Sequence, residues 1–175
     1  LFPIYIPNQS NYLGRFPLSS SVIKADFSAP IKLQVEPEVA LLFDVDYSES
    51  HQIKRFYPRA FAAFNDCSNR IPAAKISLKK NWGSASAGLS DHWIEMDQFS
   101  KDGVLDGFHI ACYLKRDDQI EAYGIDSPVS GYSYYHQTLV DWLVRQFNSQ
   151  QDVGPLEALI PLFATAGYPE QMIVS

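Results

Sequence analysis

Residues 31–46 alternate between apolar and polar side chains, and this pattern constrains the fold more than any other feature of the chain. A period of two is typical of a β-strand with one apolar face and one face that carries carboxylates. Because Pro37 lacks an amide hydrogen, the strand is expected to lie at a sheet edge or to bulge there. The apolar set is Ile31, Leu33, Val35, Val39, Leu41, Phe43 and Val45; the polar set is Lys32, Gln34, Glu36, Glu38, Asp44 and Asp46.

Further strands are predicted after this one. Residues 56–64 are aromatic and alanine-rich and favour a buried strand that ends in the polar run 65–70, although Ala60 to Ala63 would also suit a helix. Residues 108–124 alternate around Asp117-Asp118, which predicts a β-hairpin. Short strands are predicted at 93–96 and at the end of the chain, 171–175.

One amphipathic helix stands out. Its apolar side chains recur at helical spacing within residues 134–148, and a short helix over 156–162 is expected to follow. Residues 1–30 are rich in proline, serine and asparagine, which interrupt helices, and predict extended segments and loops. The sum predicts a β-rich α+β fold of mixed sheets in a single domain, residues 1–175. The absent initial methionine and the strand-like last residues suggest a fragment truncated at both ends.

Composition narrows the classes of function. With 46% hydrophobic residues the chain has material for one sizeable core. A net charge of −6 disfavours nucleic acid as a partner, and no apolar run is long enough to span a bilayer. Cys67 and Cys112 are too few for a disulfide framework, which favours a cytoplasmic location. Both thiols are interpreted as small core residues, with a reactive Cys67 as the alternative.

Three carboxylates form the candidate site. Glu36 and Glu38 lie two apart on the predicted strand, so their side chains point to the same face. Their mutual repulsion should raise one pKa unless a cation neutralises them, and hard divalent cations prefer oxygen ligands. Asp66 is the best third ligand, because it sits where an apolar strand gives way to polar residues.

Two simpler interpretations remain open at this point. Glutamates on the exposed face of an edge strand are often ordinary solvated residues. Asp44 and Asp46 share the same face and would be ligands by the same logic, but they lie near the other end of the strand and look more like turn residues.

The order of these motifs resembles that of the fumarylacetoacetate hydrolase superfamily. Residues 36–42, Glu-Pro-Glu-Val-Ala-Leu-Leu, are similar to the family's Glu-x-Glu motif followed by apolar residues. Residues 62–70 are similar to its strand that ends in an Asn-Asp pair followed by an arginine. Ala74-Lys75-Ile76-Ser77, with Gly83 or Gly88 after it, resembles the family's next lysine and glycine loop. The recognisable motifs cover roughly residues 31–100.

The resemblance implies a role for each residue. Glu36, Glu38 and Asp66 would bind Mg²⁺, Mn²⁺ or Ca²⁺, Lys75 would stabilise an oxyanion of the substrate, and Arg70 would contact substrate or form a structural ion pair. The substrate would be a small 2-oxo or 1,3-dicarbonyl acid, hydrolysed, decarboxylated or isomerised through a metal-bound enolate. Family members usually pair as homodimers, so a homodimer is expected as well.

The chain also departs from the family pattern. Members that hydrolyse C–C bonds carry a histidine and a glutamate upstream of Glu-x-Glu, whereas no histidine precedes Glu36 here. None of the four histidines, His51, His92, His109 and His136, is expected to be catalytic. A non-catalytic binding or assembly protein with the same fold is therefore the alternative, and an unrelated soluble β-rich domain without a metal is the third hypothesis.

Overall fold

The computed structural model describes all 175 residues. Twelve strands are present: β1 Leu18–Ser19, β2 Leu33–Gln34, β3 Pro37–Tyr47, β4 Ile53–Asn65, β5 Ser68–Asn69, β6 Ala87–Leu89, β7 Ile94–Glu95, β8 His109–Ile110, β9 Tyr113–Arg116, β10 Gln119–Ala122, β11 Ser127–Pro128 and β12 Gln171–Val174. The α-helices are α1 Ile76–Lys80, α2 His136–Ser149 and α3 Leu159–Ala166. Short 3₁₀ turns cover Tyr12–Gly14, Val104–Gly107 and Val129–Gly131.

The main sheet has six strands and is mixed. Its order is β1-β6-β4-β3-β12, and β7 also pairs with β4. The β3–β4 hairpin is antiparallel and forms the centre, whereas β1 joins β6 in parallel. The predicted β-rich α+β fold is therefore confirmed, as are the buried strand over 56–64 and the hairpin around Asp117-Asp118.

The two faces of β3 pack against different parts of the protein. On the odd face, Leu41 and Phe43 belong to the main core, which α2 and α3 close with Leu143 and Phe163. On the even face, Ala40 is fully buried in a smaller cluster with Phe64 and Ala87. The even face is thus polar only toward its ends, because its middle is covered as well.

Pro37 is the first residue of β3. Strand β12 pairs only with the stretch from Leu41 to Asp44, so the beginning of β3 has a neighbour on one side, namely β4. The missing amide hydrogen of proline is tolerated at such a position. The two irregularities in register lie between Leu42 and Phe43 and between Asp46 and Tyr47. The expected bulge at Pro37 is therefore not found, and Pro37 lies at a sheet edge instead.

The helices differ from the prediction mainly at their ends. Helix α2 begins at His136, two residues later than predicted, and α3 runs from Leu159 to Ala166 rather than over 156–162. Pro161 falls in the first turn of α3, where a missing amide hydrogen breaks no helical bond. Gly167 ends the helix with φ +76°, the left-handed conformation that favours glycine. No helix of the chain combines the length and apolar character needed to cross a membrane.

Candidate metal centre

The β3–β4 hairpin brings the three predicted carboxylates together. Glu38 is the second residue of β3, Glu36 immediately precedes that strand, and Asp66 immediately follows β4. The register pairs Pro37 with Asn65, which places the flanking residues side by side. The Asp66 amide donates to the Glu36 carbonyl at 3.0 Å, closing the end of the ladder. One oxygen of each carboxylate lies within 4.8 Å of the others.

Lys80, the last residue of α1, reaches into this cluster. Its ammonium group donates to Glu36 Oε2 at 2.6 Å, to the Asp66 carbonyl at 3.0 Å and to Asp66 Oδ2. Arg70 contacts the other oxygen of Glu36 and is held by Gln34 Oε1 at 2.7 Å from its Nε. Glu36 is therefore paired with two cations, and Asp66 with one.

Asp66 keeps an unpaired oxygen. The residue is only 3% exposed, and its Oδ1 is buried without a hydrogen-bond partner. A buried carboxylate oxygen normally finds a donor or a cation, because leaving it bare costs free energy. Glu38 forms no salt bridge, and Asp66 forms one through Oδ2 only, so these two carboxylates have the coordination capacity that Glu36 lacks.

The pKa values of the three carboxyl groups shift in different directions, because the groups differ in burial and in the cations that pair with them. Burial raises the pKa of Asp66, and burial together with the charge of Asp66 raises the pKa of Glu38. Partial burial would also raise the pKa of Glu36, but the hydrogen bond and charge of Lys80, with the charge of Arg70, outweigh it. The pKa of Glu36 therefore lies below its usual value. A second cation near Glu38 and Asp66 would have the same effect on them.

Lys75 lies in a different part of the structure from the one that the family resemblance implied. Its ammonium group donates to Asp152 at 2.6 Å and to the carbonyls of Gly154 and Leu156 at 3.1 and 2.7 Å. Lys75 thus fastens the loop before α3, and the lysine in the acidic cluster is Lys80. The sequence offered no periodic signal for α1, so nothing distinguished Lys80 from its neighbours.

The other acidic candidates and the histidines lie elsewhere. Asp44 pairs with Arg59 at 3.2 Å, and Asp46 accepts from the Tyr57 hydroxyl at 3.4 Å, both toward the far end of the hairpin. The histidines contact other groups: His51 stacks on Tyr168, His92 is near Asp91, His109 is near Asp126 and His136 is near Asp106. No histidine contacts the carboxylate cluster.

Cys67 follows Asp66 and is 2% exposed. Burial raises the pKa of its thiol, which disfavours the reactive thiolate. The interpretation of Cys67 as a small core residue fits this environment better than a reactive role.

Two cavities adjoin the cluster, and Glu38 lines both. One has a volume of about 330 Å³ and is lined by Glu36 and Glu38 together with Tyr123 and Cys112, among others. The other has a volume of about 530 Å³, and 14 of its 16 lining residues are hydrophobic. The acidic cluster is therefore reached from a partly polar cavity, while an apolar one lies against the same glutamate.

Comparison with known proteins gives one match. The whole chain, residues 1–175, matches a family of unknown function, DUF5718. No curated protein and no solved structure matches the chain. The resemblance to fumarylacetoacetate hydrolases stays a prediction. The chain belongs to the DUF5718 family.

Proposed function

We propose that Glu36, Glu38 and Asp66 bind a divalent cation. The observation that carries the proposal is the buried Oδ1 of Asp66, which has no partner and lies in a group of three carboxylates. When all three are ionised, the cluster holds one negative charge more than Lys80 and Arg70 neutralise. Oxygen ligands of this kind suit Mg²⁺, Mn²⁺ or Ca²⁺ rather than softer metals.

The proposed activity is a reaction of a small 2-oxo or 1,3-dicarbonyl acid at this centre. The cation, when bound, supplies Lewis-acid stabilisation of negative charge on a substrate oxygen. Lys80 takes the role that the resemblance gave to Lys75, since its ammonium group is the one held among the carboxylates. Arg70, at the exposed rim, is suited to hold a substrate carboxylate.

Metal titration of the purified protein tests the proposal. We expect isothermal titration with MgCl₂, MnCl₂ or CaCl₂ to show saturable binding. The Glu38→Gln variant should bind about 100-fold more weakly, because loss of a ligand costs at least as much as loss of an outer contact. Glu121→Gln, an exposed change on β10 with the same loss of charge, should bind as the parent does. Equal affinities in the two variants would contradict the site.

Metal affinity should rise with pH. Burial raises the pKa values of Asp66 and Glu38, so protons are retained above the usual carboxyl value of about 4 and compete with the cation. Titrations at about pH 5 and about pH 7 should show the tighter binding at the higher pH, with proton uptake by the buffer.

Without metal, the raised pKa values of Asp66 and Glu38 make the free energy of unfolding fall with rising pH, whereas metal affinity rises. A carboxyl whose pKa is higher in the folded state favours folding at low pH, and this contribution is lost as the pH rises through the raised pKa. Glu36, whose pKa is lowered, acts in the other direction. Glu38→Gln should therefore flatten both the affinity profile and the stability profile, and unchanged profiles would contradict the assignment.

A non-catalytic role is the second candidate, and the positions of the histidines favour it. Because none of the four contacts the cluster, the chain places no imidazole there to activate water. Assays with acylpyruvates and oxaloacetate in the presence of Mg²⁺ separate the two candidates: metal binding without turnover supports the binding protein. A homodimer and a cytoplasmic location are part of the proposal and rest on the resemblance and on the two free cysteines.

A further inference from the structure

The 530 Å³ cavity lies beside the acidic cluster and is walled by apolar side chains from several elements. Leu139 and Trp142 come from α2, Val39 and Leu41 from β3, and Val174 from β12. Only two of its lining residues, Glu38 and Ser175, are not hydrophobic. A cavity of this volume falls within the range that holds small organic molecules.

We propose that this cavity holds the hydrophobic tail of the substrate, whose oxygen-bearing head lies at the cation. The inference rests on the proposed function and adds the substrate class: 2-oxo or 1,3-dicarbonyl acids that carry an aryl group or an alkyl chain of several carbons. Glu38 joins the two halves of the site, because the same residue contributes a carboxylate to the cluster and lines the cavity.

The aromatic wall supports an apolar occupant. The hydroxyl of Tyr135 donates to Asp106 at 2.8 Å, so its polar end is already satisfied outside the cavity. The ring of Tyr134 packs on Trp142 with centroids 5.2 Å apart. Tyr135 therefore offers the cavity its ring surface rather than its hydroxyl, and a small polar acid would gain little from that surface.

The charge of the cluster fixes the orientation of the ligand. An acid placed against Glu38 and Asp66 without a cation would be repelled, since both groups are carboxylates. The head therefore binds only when the cation is present, and the tail is left to fill the apolar side. Binding of the substrate class should depend on metal and on chain length together.

Calorimetry with a series of 2-oxo acids of increasing chain length tests whether the cavity binds the substrate tail. Pyruvate, 2-oxohexanoate and 2-oxooctanoate are titrated into protein with saturating Mg²⁺, after Mg²⁺ alone has been titrated. We expect each added methylene to raise the affinity about two- to fourfold, as burial of a CH₂ group predicts. Without Mg²⁺ none of the three acids should bind.

Variants locate the tail. Leu139→Trp should fill the cavity and remove the dependence on chain length. Tyr134→Ala, at a half-exposed position that tolerates substitution, should reduce it. Both should leave the affinity for Mg²⁺ alone unchanged, and Tyr113→Ala, an exposed tyrosine on β9, should change nothing.

The outcomes separate the inference from the proposed function. Mg²⁺ that fails to bind overturns both. Mg²⁺ that binds, with affinities for the acids that are independent of chain length or unaffected by Leu139→Trp and Tyr134→Ala, overturns the inference alone. Long acids that bind equally well without Mg²⁺ overturn the placement of the head at the cation.

Discussion

Replacing Lys80 with methionine should lower the free energy of unfolding by about 3–5 kcal/mol, the usual cost of removing one partner from a buried ion pair. Lys80 and Asp66 are both buried, and the ammonium group also pairs with Glu36. Methionine preserves most of the volume, so the loss reports the carboxylates that remain without their cation. Urea denaturation followed by circular dichroism measures the change.

Lys79→Met is the matched control for that experiment. Lys79 lies in the same helix and makes no ion pair, so its replacement should alter the stability by less than about 0.5 kcal/mol. Addition of Mg²⁺ should restore more stability to Lys80→Met than to the parent, because the cation then neutralises the group that lost its lysine. Equal stabilities of the two lysine variants would show that Lys80 does not hold the cluster together.

Asn81→Ala should lower the free energy of unfolding by about 2–4 kcal/mol, since it leaves the partly buried carbonyls of Ile4 and Arg15 without a donor. Asn81 is 2% exposed, and its Nδ2 lies 2.7, 2.9 and 2.8 Å from the carbonyls of Ile4, Tyr12 and Arg15. This one amide fastens the first segment of the chain to the end of α1. Hydrogen exchange should therefore increase most over residues 1–17.

Gln119→Ala provides the comparison for Asn81→Ala. It removes an exposed amide from β10 and should change neither the stability nor the exchange of residues 1–17. If Asn81→Ala loses stability while exchange in the first segment stays unchanged, the proposed link between that segment and α1 is contradicted.

The sequence predicted that the three carboxylates lie close together, because their proximity follows from strand periodicity and hairpin pairing. Glu36 and Glu38 are two residues apart in extended chain at the start of β3 and so share a face, and Asp66 directly follows β4, the strand that pairs with β3. The first fact follows from the alternation of residues 31–46, and the second from the pairing of β3 with β4, the next strand in the sequence. The contents of the site, including its ligand, remain a proposal.

Strand periodicity could indicate neither the position of Lys80 nor the apolar cavity. Helix α1 has five residues, too few for a periodic pattern, and the direction of a lysine at its end depends on tertiary packing. The burial of Ala40 was missed for a related reason: alternation marks the carboxylates at the ends of the even face but does not reveal the small cluster that covers its middle. The cavity is formed by α2, β3 and β12, which are distant in sequence.

Strand pairing has a consequence for the ion that the proposed site would select. The carboxylates project from the end of the β3–β4 ladder opposite the turn, where Pro37 opposes Asn65 and the Asp66 amide donates to the Glu36 carbonyl. The distance between β3 and β4 cannot increase there without breaking sheet hydrogen bonds. Only rotation of the three carboxylate side chains would therefore adapt the proposed site to ions of different radius. Flexibility and ligand number decide between Mg²⁺ and Ca²⁺ in oxygen sites, and in the proposed site the sheet would limit the flexibility.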